Sequence, residues 1–291
     1  MRTLILSIVF LGSALFIPKR LERVPASFNL RPLPKKIWGI TVDDVSYFPP
    51  TLDAVKSLSK PVMARVVFDP WVPASYYLPA VKDLAQTSYV MGEVVNTNTI
   101  NWYSRTQAIN RWKDYLNTMG NQVDLWEIGN EVNGEWIGKE IPIVQKITDA
   151  YDLVKSYGGR TNLTLYYNPG CWSKPDHEMF AWVRKYLPTK VRLGVDYVSV
   201  SYFEEDCHYF NPNWQTVLSQ VAALFPNSKV MIGECGTTAA KKKQALLTKY
   251  YSMKVNVRNF AGGYFWWYFR QDMVPKTKPL WKTLNRLISS P

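Results

Sequence analysis

The chain has 291 residues and a mass of 33.6 kDa, with 47% hydrophobic and 20% charged residues, which excludes a disordered chain and supports a sizeable core. Aromatic residues make up 14%, with 12 Trp, 18 Tyr and 12 Phe, more than such a core requires, so some rings are expected to be exposed in a groove. The net charge of +12 and pI of about 9.4 exclude an acidic solvating chain and raise nucleic acid or an anionic polymer as partners.

At the N-terminus, Arg2 precedes an apolar run from Leu4 to Phe16, broken by Ser7, Gly12 and Ser13. The run is shorter than the roughly 20 residues that span a bilayer. It fits the apolar region of a secretory signal, with Gly12-Ser13-Ala14 as the cleavage site. Residues 1–17 are therefore read as a signal peptide, or as an uncleaved membrane anchor flanked by Lys19, Arg20 and Arg23. A buried N-terminal helix is the plainer alternative. Residues 18–34 hold four prolines and read as a linker. Residues 35–291 are left as one domain, which is expected to be secreted or otherwise extracytoplasmic. Residues 1–26 carry a net +3, so about +9 belongs to the mature domain.

Eight runs rich in Val, Ile, Tyr and Trp follow: Ile37–Thr41, Val62–Phe68, Tyr89–Val95, Val123–Ile128, Leu163–Tyr167, Tyr197–Tyr202, Lys229–Ile232 and Tyr264–Tyr268. Their starts lie roughly 25 to 40 residues apart, enough for a strand, a helix and two loops. Between or after them, Thr106–Met119, Ile143–Tyr157, Asn213–Leu224, Ala239–Val255 and Pro279–Ile288 space apolar residues as helices do. Alternating strand and helix units predict an α/β fold, a single-domain (β/α)8 TIM barrel, with a doubly wound open sheet as the alternative. No Gly-rich phosphate loop follows the first run, which counts against the open sheet. In a barrel the active site lies at the C-terminal strand ends, so the polar residues there are the ones to weigh.

The fourth run ends in Asn130-Glu131 and the seventh in Glu234, each after a glycine, Gly129 and Gly233, that could leave room for a ligand or another backbone. One glutamate at a strand end is more often a salt-bridge partner. Two on opposite sides of a barrel mouth match glycosidic bond cleavage, in which one carboxyl donates a proton and the other attacks the anomeric carbon. The strings WEIGNE and IGECG, with the eight-unit order from Lys35 onward, resemble the clan A glycoside hydrolases, retaining (β/α)8-barrel enzymes. That resemblance implies Glu131 as general acid/base, Glu234 as nucleophile and Asn130 as a hydrogen-bond partner of the sugar 2-hydroxyl. It further implies that Arg65, on the second strand, supports the nucleophile; an ion pair with Glu127 is the structural alternative. Tyr202 is the tyrosine implied to hydrogen-bond the nucleophile. The histidine usual near that point is displaced or missing, the nearest being His208.

A tryptophan floor for the sugar is implied on the eighth strand. Alternation allows only one of Trp266 and Trp267 to face the mouth, and spacing from the glycines favours Trp267. Trp38, Trp71, Trp102, Trp136 and Trp172 also fall near strand ends and could line an elongated groove or pack in loops. Asp43, Asp44, Glu204, Glu205 and Asp206 are candidate hydroxyl acceptors, or merely solvated.

The expected function is a retaining glycoside hydrolase acting on a β-linked polysaccharide or oligosaccharide by double displacement, endo-acting because the loops are short. A non-catalytic sugar-binding barrel and a transglycosylase are the alternatives. No nucleic-acid motif is visible, acidic strand ends would repel phosphates, and nucleic acid is not expected as a partner. No cofactor and no metal site are expected, since only His177 and His208 are present without zinc-like spacing. A monomer is expected, with a membrane tether through residues 1–17 if that segment is retained. Of three cysteines, Cys171 and Cys207 are the pair to test as a disulfide, with three buried thiols an equal alternative.

Overall fold

The computed structural model describes residues 27–289; the apolar segment 1–17 and linker residues 18–26 lie outside them. Residues 27–34 do not run free. The Phe28 amide donates to the Tyr157 carbonyl at 3.0 Å, and Arg31 pairs with Asp124 at 2.5 Å.

Eight parallel strands close into a barrel in sequence order: β1 (Ile37–Val42), β2 (Met63–Val67), β3 (Tyr89–Glu93), β4 (Leu125–Gly129), β5 (Thr161–Tyr166), β6 (Tyr197–Ser201), β7 (Lys229–Cys235) and β8 (Phe260–Trp266). β8 pairs with β1 to complete the ring. The chain is thus a (β/α)8 TIM barrel. Their residues are buried on both faces almost throughout, as expected of strands covered by helices outside and filled by side chains inside.

Among the described residues ten helices surround them: α1 (Pro49–Lys56), α2 (Ala74–Ala85), α3 (Arg105–Met119), α4 (Glu140–Ser156), α5 (Met179–Tyr186), α6 (Thr189–Gly194), α7 (Trp214–Leu224), α8 (Lys243–Tyr251), α9 (Phe269–Met273) and α10 (Pro279–Ser289). α3 begins at a capping box: Ser104 accepts from the Gln107 amide, and the Gln107 side chain accepts from the Ser104 amide. The span expected as one helix over Ala239–Val255 is a short 3₁₀ turn, Ala240–Lys242, followed by α8. No described helix is long and apolar enough to cross a membrane.

Period-two alternation sorts the strand residues. Ile37, Met63, Met91, Leu125, Tyr197, Met231, Ala261 and Phe265 form an apolar plug inside the barrel. Two residues further along the same inward positions the barrel turns polar, with Arg65, Glu93, Glu127 and Ser199 all buried. The outward residues, such as Val198, Val200 and Trp266, pack beneath the helices. The apolar plug therefore supports a buried charged layer that opens at the C-terminal strand ends.

Candidate active site

Arg65 is the hub of that layer. Its Nε donates to Glu127 Oε2 at 2.6 Å, Nη2 lies 2.8 Å from Glu93 Oε2, and Nη1 lies 2.8 Å from Glu234 Oε1. The two roles weighed for Arg65, contact with Glu234 and an ion pair with Glu127, occur together. All four side chains are nearly inaccessible to solvent. A guanidinium has one charge and a fork of donors; here it faces three carboxyl groups from three strands. Glu127 also accepts from Thr164 and, at 3.4 Å, from Asn162. Glu93, which the sequence reading did not single out, accepts from Asn96 Nδ2 at 3.0 Å.

Glu234 leaves β7 toward this hub. Asn130 Nδ2 donates to Glu234 Oε1 at 3.1 Å, and the Asn130 carbonyl accepts from Thr97 Oγ1 at 2.8 Å. Burial pushes the Glu234 carboxyl up, while Arg65 and the Asn130 hydrogen bond oppose that rise.

Glu131 follows Asn130 with a left-handed backbone, φ +44°. Such a conformation is unfavourable for a residue with a Cβ and persists only where surroundings enforce it. The turn is closed by the Gly134 amide, which donates to the Glu131 carbonyl at 2.8 Å. Ser201 Oγ, at the end of β6, donates to Glu131 Oε1 at 2.5 Å. Burial and then the charge of Glu234 push the Glu131 carboxyl up to about 8, against the Ser201 hydrogen bond and Arg65.

Both glutamates line a cleft of about 530 Å³. Its walls include Trp136, Tyr166, Trp172, Phe203, Trp267 and Tyr268, with the carboxylates Glu135, Glu205 and Asp206 among them. Tyr166 Oη donates to Asp206 at 2.8 Å, and Thr237 Oγ1 donates to Glu205 at 2.7 Å. Cys171 and Cys207 form a disulfide that ties the loop carrying Trp172 to the turn carrying Glu205 and Asp206. Cys235 is a buried free thiol. Among the described residues no group of three or more His, Cys, Asp or Glu could hold a metal ion.

Several expectations need correction. The Tyr202 hydroxyl does not reach the Glu234 carboxyl: the Tyr202 amide donates to the Glu234 carbonyl at 3.0 Å, but the side chain points outward, buried beside Tyr167 and Trp214, and its hydroxyl donates to the Phe210 carbonyl at 2.5 Å. Alternation from Tyr197 puts Ser199 and Ser201 inside and Tyr202 outside, a signal present in the string YVSVSYF. Trp266 is fully buried, and its Nε1 donates to Asp272 at 2.9 Å, so it is not a substrate contact. Trp267, one position on, faces the mouth with its ring 5.7 Å from the Arg65 guanidinium. Asp43 is engaged by Arg270 and Gln271 and does not line the cleft. Gly129 and Gly233 make room for protein side chains: a Cβ at Gly129 would meet Val132 at 2.6 Å, and one at Gly233 would meet Ser199 and Thr164 at 3.1 Å. Asn130 is buried, with no partner for its Oδ1.

The barrel is similar to solved structures of a yeast protein, Saccharomyces cerevisiae Gas2p. The complex of Gas2p with laminaritriose and laminaritetraose aligns with a TM-score of 0.54 at 14% identity, covering 92% of this chain and 69% of that one. A variant of Gas2p with laminaritetraose and laminaripentaose aligns with a TM-score of 0.53 at 14% identity, covering 88% of this chain and 63% of that one. At this identity the likeness shows the barrel fold. No protein-family model matches the sequence, and no curated protein matches it.

Proposed function

We propose that the chain is a retaining glycoside hydrolase acting on a β-linked glycan. The observation that carries this reading is the unequal pair on one cleft. The Glu131 carboxyl is pushed up to about 8, so it holds a proton at neutral pH, while Glu234 is braced by Arg65 and Asn130. A carboxyl kept protonated beside one kept near a cation is the division of labour that glycosidic cleavage needs.

In the first step Glu131 gives its proton to the departing glycosidic oxygen as Glu234 attacks the anomeric carbon and forms an ester. In the second step Glu131, now ionised, takes a proton from water, whose oxygen displaces Glu234 and releases the sugar. With the ester formed, Glu234 no longer carries the charge that raises Glu131, so the same residue turns from acid to base. The aromatic wall suits the apolar faces of sugar rings, and the bound Gas2p oligosaccharides support a glycan ligand on this fold. The disulfide fits an oxidising, extracytoplasmic setting.

A screen of defined β-linked oligosaccharides and polysaccharides with product analysis tests the assignment. The wild-type chain should release sugars from at least one substrate, and Glu234→Gln should release none. A variant that keeps full turnover would overturn it, and binding without any turnover would make the chain a sugar-binding barrel.

A further inference from the structure

Trp71 combines features that packing does not account for. Its ring is 55% exposed, yet its backbone sits at φ +65°, a genuine outlier for a bulky residue. The loop that presents it, between β2 and α2, is braced from below. Arg111, nearly buried, donates to the carbonyls of Phe68, Asp69, Val72 and Val94 at 2.7–3.1 Å. Tyr115 Oη also donates to the Val72 carbonyl, at 2.9 Å. The Trp71 amide donates to Tyr103 Oη at 2.7 Å, and the Trp71 ring lies against the buried Tyr103 ring with centroids 4.2 Å apart. The indole is thus held against Tyr103 while more than half of the residue stays exposed. Strain held by so many fixed partners, in order to display an apolar ring in water, points to a ligand.

The next loops of the barrel continue the arrangement. Trp102, 58% exposed, ends the turn Thr97–Trp102 after β3, and Trp136 lies on the turn Glu135–Ile137 after β4. These turns are joined by the Asn101 side chain, which donates to the Ile137 carbonyl, and Lys146 Nζ fixes the Ile100 carbonyl at 2.7 Å. Trp136 meets Tyr166 edge-on at 5.1 Å, and Tyr166 meets Trp172 edge-on at 5.6 Å, inside the catalytic cleft. β2, β3, β4 and β5 are successive in the ring, so Trp71, Trp102, Trp136 and Tyr166 follow one another along the rim.

We propose that Trp71 and Trp102 form a remote platform for the polymer, so that a β-linked glycan held at Glu131 and Glu234 continues past Trp136 across the β3 and β2 loops. The platform rests on the glycosidase reading for its occupant, and on the strain, the bracing and the order of the successive loops for its existence. A flat β-linked chain presents axial C–H faces at repeated intervals, which an ordered series of open rings can hold.

The test compares the full chain with Trp71→Ala, Trp102→Ala, the double variant and Trp71→Tyr. Binding is read by retardation in native gels containing laminarin, mixed-linkage β-glucan, glucomannan or xylan. Turnover is read on the retarding polymer and on a short aryl glycoside of the same sugar. The double variant should bind the polymer at least tenfold more weakly and lose a similar factor in polymer kcat/KM, with Trp71→Tyr restoring most of both and the loss confined to long chains. A double variant that binds and cleaves the polymer like wild type overturns the platform, as does equal loss on short and long substrates or no retardation of wild type by any of the four. Tryptophan-dependent retardation without turnover keeps the platform and overturns the catalytic reading instead.

Discussion

Ser201 Oγ donates to Glu131 Oε1 at 2.5 Å, joining the end of β6 to the carboxyl at the end of β4. The bond favours the ionised form of Glu131 and opposes the burial and Glu234 charge that raise it. Because Glu131 must hold a proton to act as an acid, activity should fall as pH rises through about 8, its folded-state value. Ser201→Ala removes the opposing bond, so the basic limb of the kcat/KM profile should move to higher pH. A charge-assisted hydrogen bond contributes about 1.5–3 kcal/mol, so the rate should also drop by roughly tenfold or more. An unmoved basic limb would count against Glu131 as the acid.

Arg65 lies against three buried carboxyl groups, and its loss would remove the cation they share and leave them only their neutral hydrogen-bond partners. Arg65→Met should destabilise the chain by about 3–5 kcal/mol. The sign with pH follows from Glu93 and Glu234, both pushed up by burial and drawn down by Arg65. Carboxyls raised in the folded state contribute stability at low pH that is lost as pH rises above the usual carboxylate range. Without Arg65 they rise further, so the deficit should be smaller near pH 4.5 than at neutral pH. Thermal denaturation at the two pH values checks this, and a deficit that shrinks with rising pH would contradict it.

The Cys171–Cys207 disulfide closes a separation of 36 residues and fastens two loops of the cleft wall together. Replacing both cysteines by serine should lower stability by about 2–4 kcal/mol. It should also raise KM more than it lowers kcat, because Trp172 and Asp206 line the cleft whereas the residues around Arg65 are held by other contacts. Denaturant melts and steady-state kinetics in parallel measure both effects.

The order of the eight strands was legible because buried parallel strands read as short apolar runs at barrel spacing. The edges were less so. β8 begins at Phe260, four residues before the run Tyr264–Tyr268, because Gly262 and Gly263, both at positive φ, interrupt its apolar pattern. Helices α1, α2, α5, α6 and α9 were not expected: Pro49 and Pro50 open α1, Pro79 lies inside α2, and α5, α6 and α9 are only five to eight residues long. In the site, Glu131 and Glu234 could be named from strand ends, whereas Arg65 and Trp267 came from the resemblance, with alternation and glycine spacing choosing Trp267 over Trp266. Ser201 could have been found by the same alternation that excludes Tyr202. Tyr166 and the contacts of Asp206 depend on how separate loops meet, which no local pattern encodes.

The central claim, that Glu234 is the nucleophile, is tested most directly by covalent trapping. The wild-type chain would be treated with an activated 2-deoxy-2-fluoro glycoside of the sugar it cleaves, and its peptides analysed by mass spectrometry. The account predicts one stoichiometric fluoroglycosyl ester on Glu234, formed as activity is lost. Turnover of the substrate with no label on Glu234, or a label on another carboxylate, would contradict it.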